Sequence, residues 1–172
     1  SSKSFLETKE KEIPHCKIEE LLKNSKDIMV LSGGIDSLFS TLVKKNKIKE
    51  LESLAILLKK TFHDSFYFEI QRHNDDGEKN FENILLNLSN KIDIPIIASQ
   101  EIFYINQDMH EAHDALLCIG EKTYIDEKNR KKYSNQHYIR SPDEIKKLYS
   151  DIPEALENNY NFPFRFNYKL KK

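Results

Sequence analysis

The sequence predicts an α/β fold, and two patterns carry that expectation. Three short apolar runs, Ile28–Leu31, Phe66–Ile70 and Ile94–Ala98, have the length and residue types of buried strands. Between them, apolar residues recur at three- and four-residue spacing, the mark of amphipathic helices. Strands alternating with helices build βαβ units and a parallel sheet. Three strands alone leave two open sheet edges, which isolated domains avoid. The expectation is therefore part of a larger, barrel-like α/β fold, completed by residues outside this chain.

The elements follow in order. Ile28–Leu31 runs into Ser32-Gly-Gly-Ile-Asp-Ser37. Gly33 and Gly34 permit a tight strand-to-helix turn, with Asp36 or Ser37 as helix cap. Leu38, Thr41 and Leu42 are expected on the buried face of the helix that follows. Phe62, Phe66, Tyr67 and Phe68 could stack on nucleic-acid bases, but strand-core packing is the simpler expectation. A helix is predicted from about Asp75, where Asp75 and Glu78 have capping-box spacing. Capping is also preferred over a magnesium pair for Asp75 and Asp76. Phe81, Ile84, Leu85 and Leu88 mark the buried face of this helix. After the third strand, a helix from Asp108, with Glu111 three residues on, is expected to bury Ala112, Leu116 and Ile119 and to stop at Gly120. Residues 121–137 are polar and predict a long surface loop or hairpin, with a short strand at Thr123–Ile125. Ser141-Pro-Asp-Glu144 supplies an N-cap serine, a proline at N1 and a glutamate at N3, a complete helix start. Asp151-Ile-Pro-Glu154 repeats that logic. The alternating aromatics Tyr160, Phe162, Phe164, Phe166 and Tyr168 suggest an edge strand or a packed tail.

Composition narrows the function classes. The chain has 172 residues, 38% hydrophobic and 32% charged, which suits one domain with a real core. Its 27 basic and 28 acidic residues give a net charge of −1. A stand-alone nucleic-acid binder would carry a basic surplus to neutralise phosphates, so this segment is not expected to grip DNA by itself. No apolar run reaches the roughly 18 residues of a membrane span, and residues 1–10 lack the apolar core of a signal peptide. Cys16 and Cys118 stand far apart and suggest free thiols in a reducing cytoplasm. A start at serine fits a fragment of something longer. His15, His63 and His137 stand alone and are expected at the surface. His110 and His113, three apart, lack the four-residue HExxH spacing and suggest surface or packing roles.

Ser32–Ser37 also resembles the phosphate loop of ATP pyrophosphatases. Glycines let backbone N–H groups approach phosphate oxygens, and a helix N-terminus adds partial positive charge. In that family the serine and glycines contact pyrophosphate and the aspartate helps to position magnesium. The corresponding ATP-binding set here would be Ser32, Gly33, Gly34, Asp36 and Ser37. The downstream sequence lacks a basic adenine-side loop, which favours a plain βα turn.

A wider resemblance covers nearly the whole chain. Phe66-Tyr-Phe-Glu-Ile-Gln-Arg-His73, Ile94-Pro-Ile-Ile-Ala-Ser-Gln-Glu-Ile-Phe-Tyr104, His110–Gly120, Gln136–Ile145 and Asp151–Asn158 together closely resemble the PHP domain of bacterial DNA polymerase III alpha subunits, where it hands over to the palm. The resemblance implies a distorted β/α barrel of PHP type, with residues 1–140 as its C-terminal portion and residues 141–172 leading to the palm. It implies a parent that is a DNA-directed DNA polymerase, a nucleotidyltransferase of chromosome replication. That parent would use Mg²⁺ on palm aspartates outside this chain. The fragment itself would hold no catalytic residue and no cofactor. Its partners would be the proofreading exonuclease subunit and other holoenzyme subunits, in the cytoplasm, with DNA reached through the parent. PHP domains can carry a metal cluster that makes them 3′→5′ exonucleases. Here the resemblance places His73, Glu101 and Phe103 at ligand positions, and phenylalanine cannot coordinate a metal. A degenerate metal site and a structural, docking role are expected. An active metal-dependent phosphoesterase is the alternative.

Overall fold

The computed structural model describes Leu6 and residues 14–167. Residues 1–5, 7–13 and 168–172, Tyr168 among them, therefore lie outside the described residues. The sheet has three parallel strands in sequential order: β1 (Val30–Leu31), β2 (Phe66–Gln71) and β3 (Ile96–Ser99). Val30 pairs with Phe66 and Phe68 with Ile96. Seven helices accompany them among the described residues: α1 (Ile18–Lys23), α2 (Leu38–Lys44), α3 (Ile48–Phe62), α4 (Glu78–Ile92), α5 (His110–Glu121), α6 (Pro142–Leu148) and α7 (Pro153–Asn161). The α/β class expected from the alternation is present.

β2 is the central strand. Phe66, Tyr67, Phe68 and Ile70 are all buried, as a strand covered on both faces requires. Leu51, Ala55, Leu58 and Phe62 of α3 join Phe81, Leu85 and Leu88 of α4 in the same core. Phe39 meets Phe66 and Phe68 with ring centroids 6.1 and 5.9 Å apart. The aromatic residues predicted for the core are thus in it. The core runs on past residue 140: Tyr149, Ile152 and Ala155 belong to it. Tyr149 is fully buried, and its hydroxyl lies 3.1 Å from the Ser99 carbonyl and 3.3 Å from that of Ile70.

The two sheet edges differ. At β3, asparagine side chains of α7 take the place of a further strand. The Asn159 amide accepts from the Ala98 N–H at 3.1 Å and donates to the Ala98 carbonyl, while Asn158 donates to the Ile96 carbonyl at 2.8 Å. β1 is two residues long, Leu31 is exposed, and no further strand flanks it among the described residues.

Several local expectations change. Leu38 is exposed; α2 buries Phe39 and Ser40, and Leu42 packs half-buried against the core as expected. The Asp75–Glu78 capping box does not form. Gly77 is the N-cap of α4, in the left-handed region at φ 79°, and both acidic side chains turn elsewhere. Asp151 likewise does not cap α7, which begins after Ile152. Thr123–Ile125 is not a strand. Of the tail aromatics, Tyr160 lies in α7 and Phe162 and Phe164 in a 3₁₀ turn, Phe162–Arg165, with Phe162 edge-on to Tyr67. On α5 the predicted face is reversed: Ala112, Leu116 and Ile119 are exposed and Cys118 is buried. The Ser141–Glu144 capping box forms in full.

Candidate functional site

The C-terminal ends of parallel strands are where open α/β sheets place their sites. Here β2 delivers Arg72 and His73, and β3 delivers Gln100 and Glu101. Tyr104 forms a bridge with Tyr138, which carries the returning polar loop back beside them.

His73 is buried, and its partners fix its tautomer. Its Nε2 accepts the Glu101 backbone N–H at 3.1 Å, so the ring proton sits on Nδ1 and is donated to Glu78 at 3.1 Å. The second Glu78 oxygen accepts the backbone N–H groups of His73 and Asn74, both at 2.7 Å. Glu78 therefore ties down the turn after β2 instead of capping α4. Ser134 reinforces that turn by donating its hydroxyl to the His73 carbonyl.

His137 is 1% exposed, not the surface residue its isolation suggested. Nδ1 faces the Glu101 carbonyl at 3.0 Å, and Nε2 faces an Asp75 carboxylate oxygen at 2.8 Å. Both partners are acceptors, so the ring bridges the Glu101 carbonyl and the Asp75 carboxylate. The other Asp75 oxygen accepts the Ser134 N–H at 3.0 Å. Burial pushes the Asp75 carboxyl up. The His137 and Ser134 hydrogen bonds and the His137 charge outweigh that push and hold it below its ordinary value of 3.8.

The rings of His73 and His137 stack, 4.1 Å apart and 5° from parallel. Phe103 lies against His137 at 4.9 Å and against His113 of α5 at 5.1 Å, and Tyr133 packs on Phe103 at 4.4 Å. One run of stacked rings thus joins the end of β2, the returning loop, the segment after β3 and α5. His110 adds a hydrogen bond to the Tyr133 carbonyl at 2.9 Å, so both α5 histidines have the packing roles expected of them.

The ligating atoms of His73, Asp75 and His137 come within 4.8 Å of one another, as a metal site would need. The ring geometry works against one. An imidazole lone pair lies in its ring plane, and zinc sits about 2.0–2.1 Å from the nitrogen. Two parallel rings about a ring-stacking distance apart offer no point that lies in both planes at that range. The His73 Nε2 lone pair is also engaged by Glu101. As arranged, the three residues form a hydrogen-bonded brace. Among the residues expected at ligand positions, His73 and Phe103 meet only through His137. The Glu101 backbone touches both histidines, while its residue is exposed.

The Ser32–Ser37 loop lies nearby, and an open cleft is lined by Gly33, Gly34, Asp36, Ser37, Gln71 and Glu101. Ser37 caps α2 by accepting the Ser40 N–H at 3.2 Å. Ser32 is buried, and its hydroxyl accepts the Glu69 N–H at 2.9 Å. A Cβ on Gly34 would fall 1.8 Å from the Gln71 side-chain oxygen, so close packing between the loop and β2 accounts for that glycine. Asp36 is mostly exposed, 3.7 Å from the Lys131 ammonium.

Two arginines matter that the sequence did not single out. Arg72 reaches Glu82 of α4, Asp151 before α7 and the Leu148 carbonyl of α6, with its guanidinium 5.0 Å above the Tyr149 ring. Arg130 grips Asp114 of α5 with two bonds of 2.5 and 2.6 Å. Neither pairing has a sequence signal, because each joins residues far apart in the chain.

No family model matches the chain. Curated proteins named DNA polymerase III subunit alpha do. The one from Rickettsia prowazekii is 33% identical over 161 residues, covering 94% of this chain and 14% of its own length. The one from Caulobacter vibrioides is 28% identical over 172 residues, 100% of this chain and 15% of its own. The one from Haemophilus influenzae is 29% identical over 148 residues, 86% and 13%. The chain thus spans about a seventh of the length of these relatives. Among the described residues, no helix is long and apolar enough to cross a membrane.

Proposed function

We propose that this chain is a segment of a replicative DNA polymerase, the alpha subunit of DNA polymerase III. In this reading it is PHP-type and runs into the palm, and its own task is structural. The observation that carries the reading is that relatives of this one name match 86 to 100% of the chain. The parent polymerises deoxynucleotides in the cytoplasm with Mg²⁺ on aspartates outside this segment. The segment braces the palm and offers a docking surface to the proofreading exonuclease subunit.

Two features support a brace over a phosphoesterase. Phe103 stands where the resemblance calls for a ligand histidine and spends its ring on His113, Tyr133 and His137. The Arg72 contacts tie β2, α4, α6 and the α7 entry together, a rigid joint at the passage toward the palm. Both devices resist relative motion of the elements they join.

The test uses the full-length polypeptide. Primer extension with Mg²⁺ is expected, with no stoichiometric zinc or manganese after dialysis and no 3′→5′ trimming of its own. A stoichiometric transition metal, together with trimming abolished by His73→Ala, would establish the phosphoesterase instead. Asp36→Ala is expected to leave ATP binding at background. Loss of a measurable ATP affinity on that substitution would favour the phosphate-loop reading.

A further inference from the structure

Helix α5 stands inside out. Its inner side is polar and aromatic: His110 bonds to the Tyr133 carbonyl, His113 stacks on Phe103, and Asp114 is gripped by Arg130. Its outer side is apolar. Leu116 is 64% exposed and Ile119 75%, with Ala112 exposed between them and Met109 one turn before. These four residues fall on one stripe, about 15 Å long at 1.5 Å per residue. A helix on the surface of a free-standing domain turns such a stripe to the core. The polar clamps on the inner side hold α5 in the opposite orientation, so the outward stripe is built in. Asp108 and Glu111, both exposed, add negative charge near its start.

We propose that the stripe Met109–Ala112–Leu116–Ile119 is an interface within the parent polypeptide. It seats an amphipathic helix from the portion outside this segment, apolar on the facing side and carrying Lys or Arg opposite Asp108 and Glu111. The inference rests on the reading of the chain as a polymerase segment. The relatives are about seven times longer than their matched region, so most of their surface belongs to the same chain. A covalently linked partner acts at high effective concentration and does not require a high-affinity surface. A stripe this short, edged by carboxylates, suits that kind of contact.

The experiment places a benzophenone amino acid at position 119 of the full-length polypeptide, with position 128, an exposed lysine, as control. On irradiation, position 119 is expected to cross-link within the same chain, to a peptide outside the 172 residues, several-fold more than position 128. A product of twice the mass would assign the stripe to a second copy. A product with another subunit would assign it to that partner. A yield no higher than the control would leave the stripe uncovered. Each of these overturns the proposal. Intact mass and primer extension on the same preparation separate the two levels. If the polypeptide extends primers but position 119 fails to link internally, only the interface fails. If it is short or inactive on primed DNA, the polymerase reading fails with it.

Discussion

Removing the Arg72 guanidinium should be among the most damaging single changes in this chain. Arg72 is 17% exposed, Glu82 14% and Asp151 61%. Arg72 meets Glu82 through Nε at 3.1 Å and Nη2 at 2.5 Å, and Asp151 at 2.6 and 2.8 Å. The Asp151 bond is the largest influence on Arg72, followed by burial, which opposes it, and then Glu82. Together they hold the guanidinium well above its already high range. The two carboxylates should nevertheless differ in what they contribute to stability. Asp151 stands in water, where screening limits such a pair to about 1 kcal/mol or less. Glu82 is enclosed, and taking away the partner of a buried charge costs about 3–5 kcal/mol. Arg72→Met is therefore expected to cost about 3–5 kcal/mol and Asp151→Asn about 1 kcal/mol or less. Arg72→Met with Glu82→Leu should recover much of the loss, because no buried charge is then left alone. Urea unfolding of the wild type, the single variants and the pairs, followed by circular dichroism, measures all of this. A cost for Arg72→Met below about 1 kcal/mol, or a coupling of Arg72 to Asp151 as large as that to Glu82, would refute the reasoning.

Three further outcomes follow from the geometry. Asp75 has a folded-state value depressed below 3.8, so the unfolded chain takes up its proton first as pH falls. The stabilisation from Asp75 is fully present above that ordinary value and is lost as pH drops through the depressed one; in Asp75→Asn, unfolding midpoints measured from pH 6 to pH 2 should show a shallower acid slope. Tyr149→Phe removes a hydroxyl shared by two buried carbonyls and should cost about 1 kcal/mol, whereas Tyr149→Ala opens a core cavity and should cost about 3–5 kcal/mol in the same unfolding assay. Gly34→Ala forces the Gln71 side chain away from Glu69 and Ser99 and should cost about 1–3 kcal/mol, most of it relieved when Gln71→Ala is added; an unrelieved cost would place the strain in the backbone.

The legible part of the candidate site was its chemistry, not its wiring. The resemblance puts His73, Glu101 and Phe103 at ligand positions, and the first two touch through an imidazole nitrogen and a backbone N–H. The Phe103 ring stacks on two histidines, His113 and His137. His137 gave no warning. It sits at the end of a polar loop with no periodic neighbour, and only the return of that loop to Tyr104 brings it against Asp75, 62 residues away. The Asp75–Glu78 spacing matches a capping box that does not form, because better partners lie within reach of both carboxylates. Asp75 found the buried His137 ring, and Glu78 found two backbone N–H groups and His73.

By itself the sequence determined what depends on near neighbours. Strand and helix content, the capping box at Ser141 and the buried faces of β2 and α4 all rest on spacings of two to four residues, which the backbone geometry repeats wherever such a pattern occurs. The tertiary structure alone decided what depends on distant ones. Arg72 reaches Asp151 across 79 positions, asparagines of α7 close the edge of β3, and α5 turns its apolar stripe outward because a histidine, an aspartate and an aromatic ring are held on its other side. A charged or aromatic side chain binds whatever the fold places within a few ångströms, and sequence separation sets no limit on which residue that is.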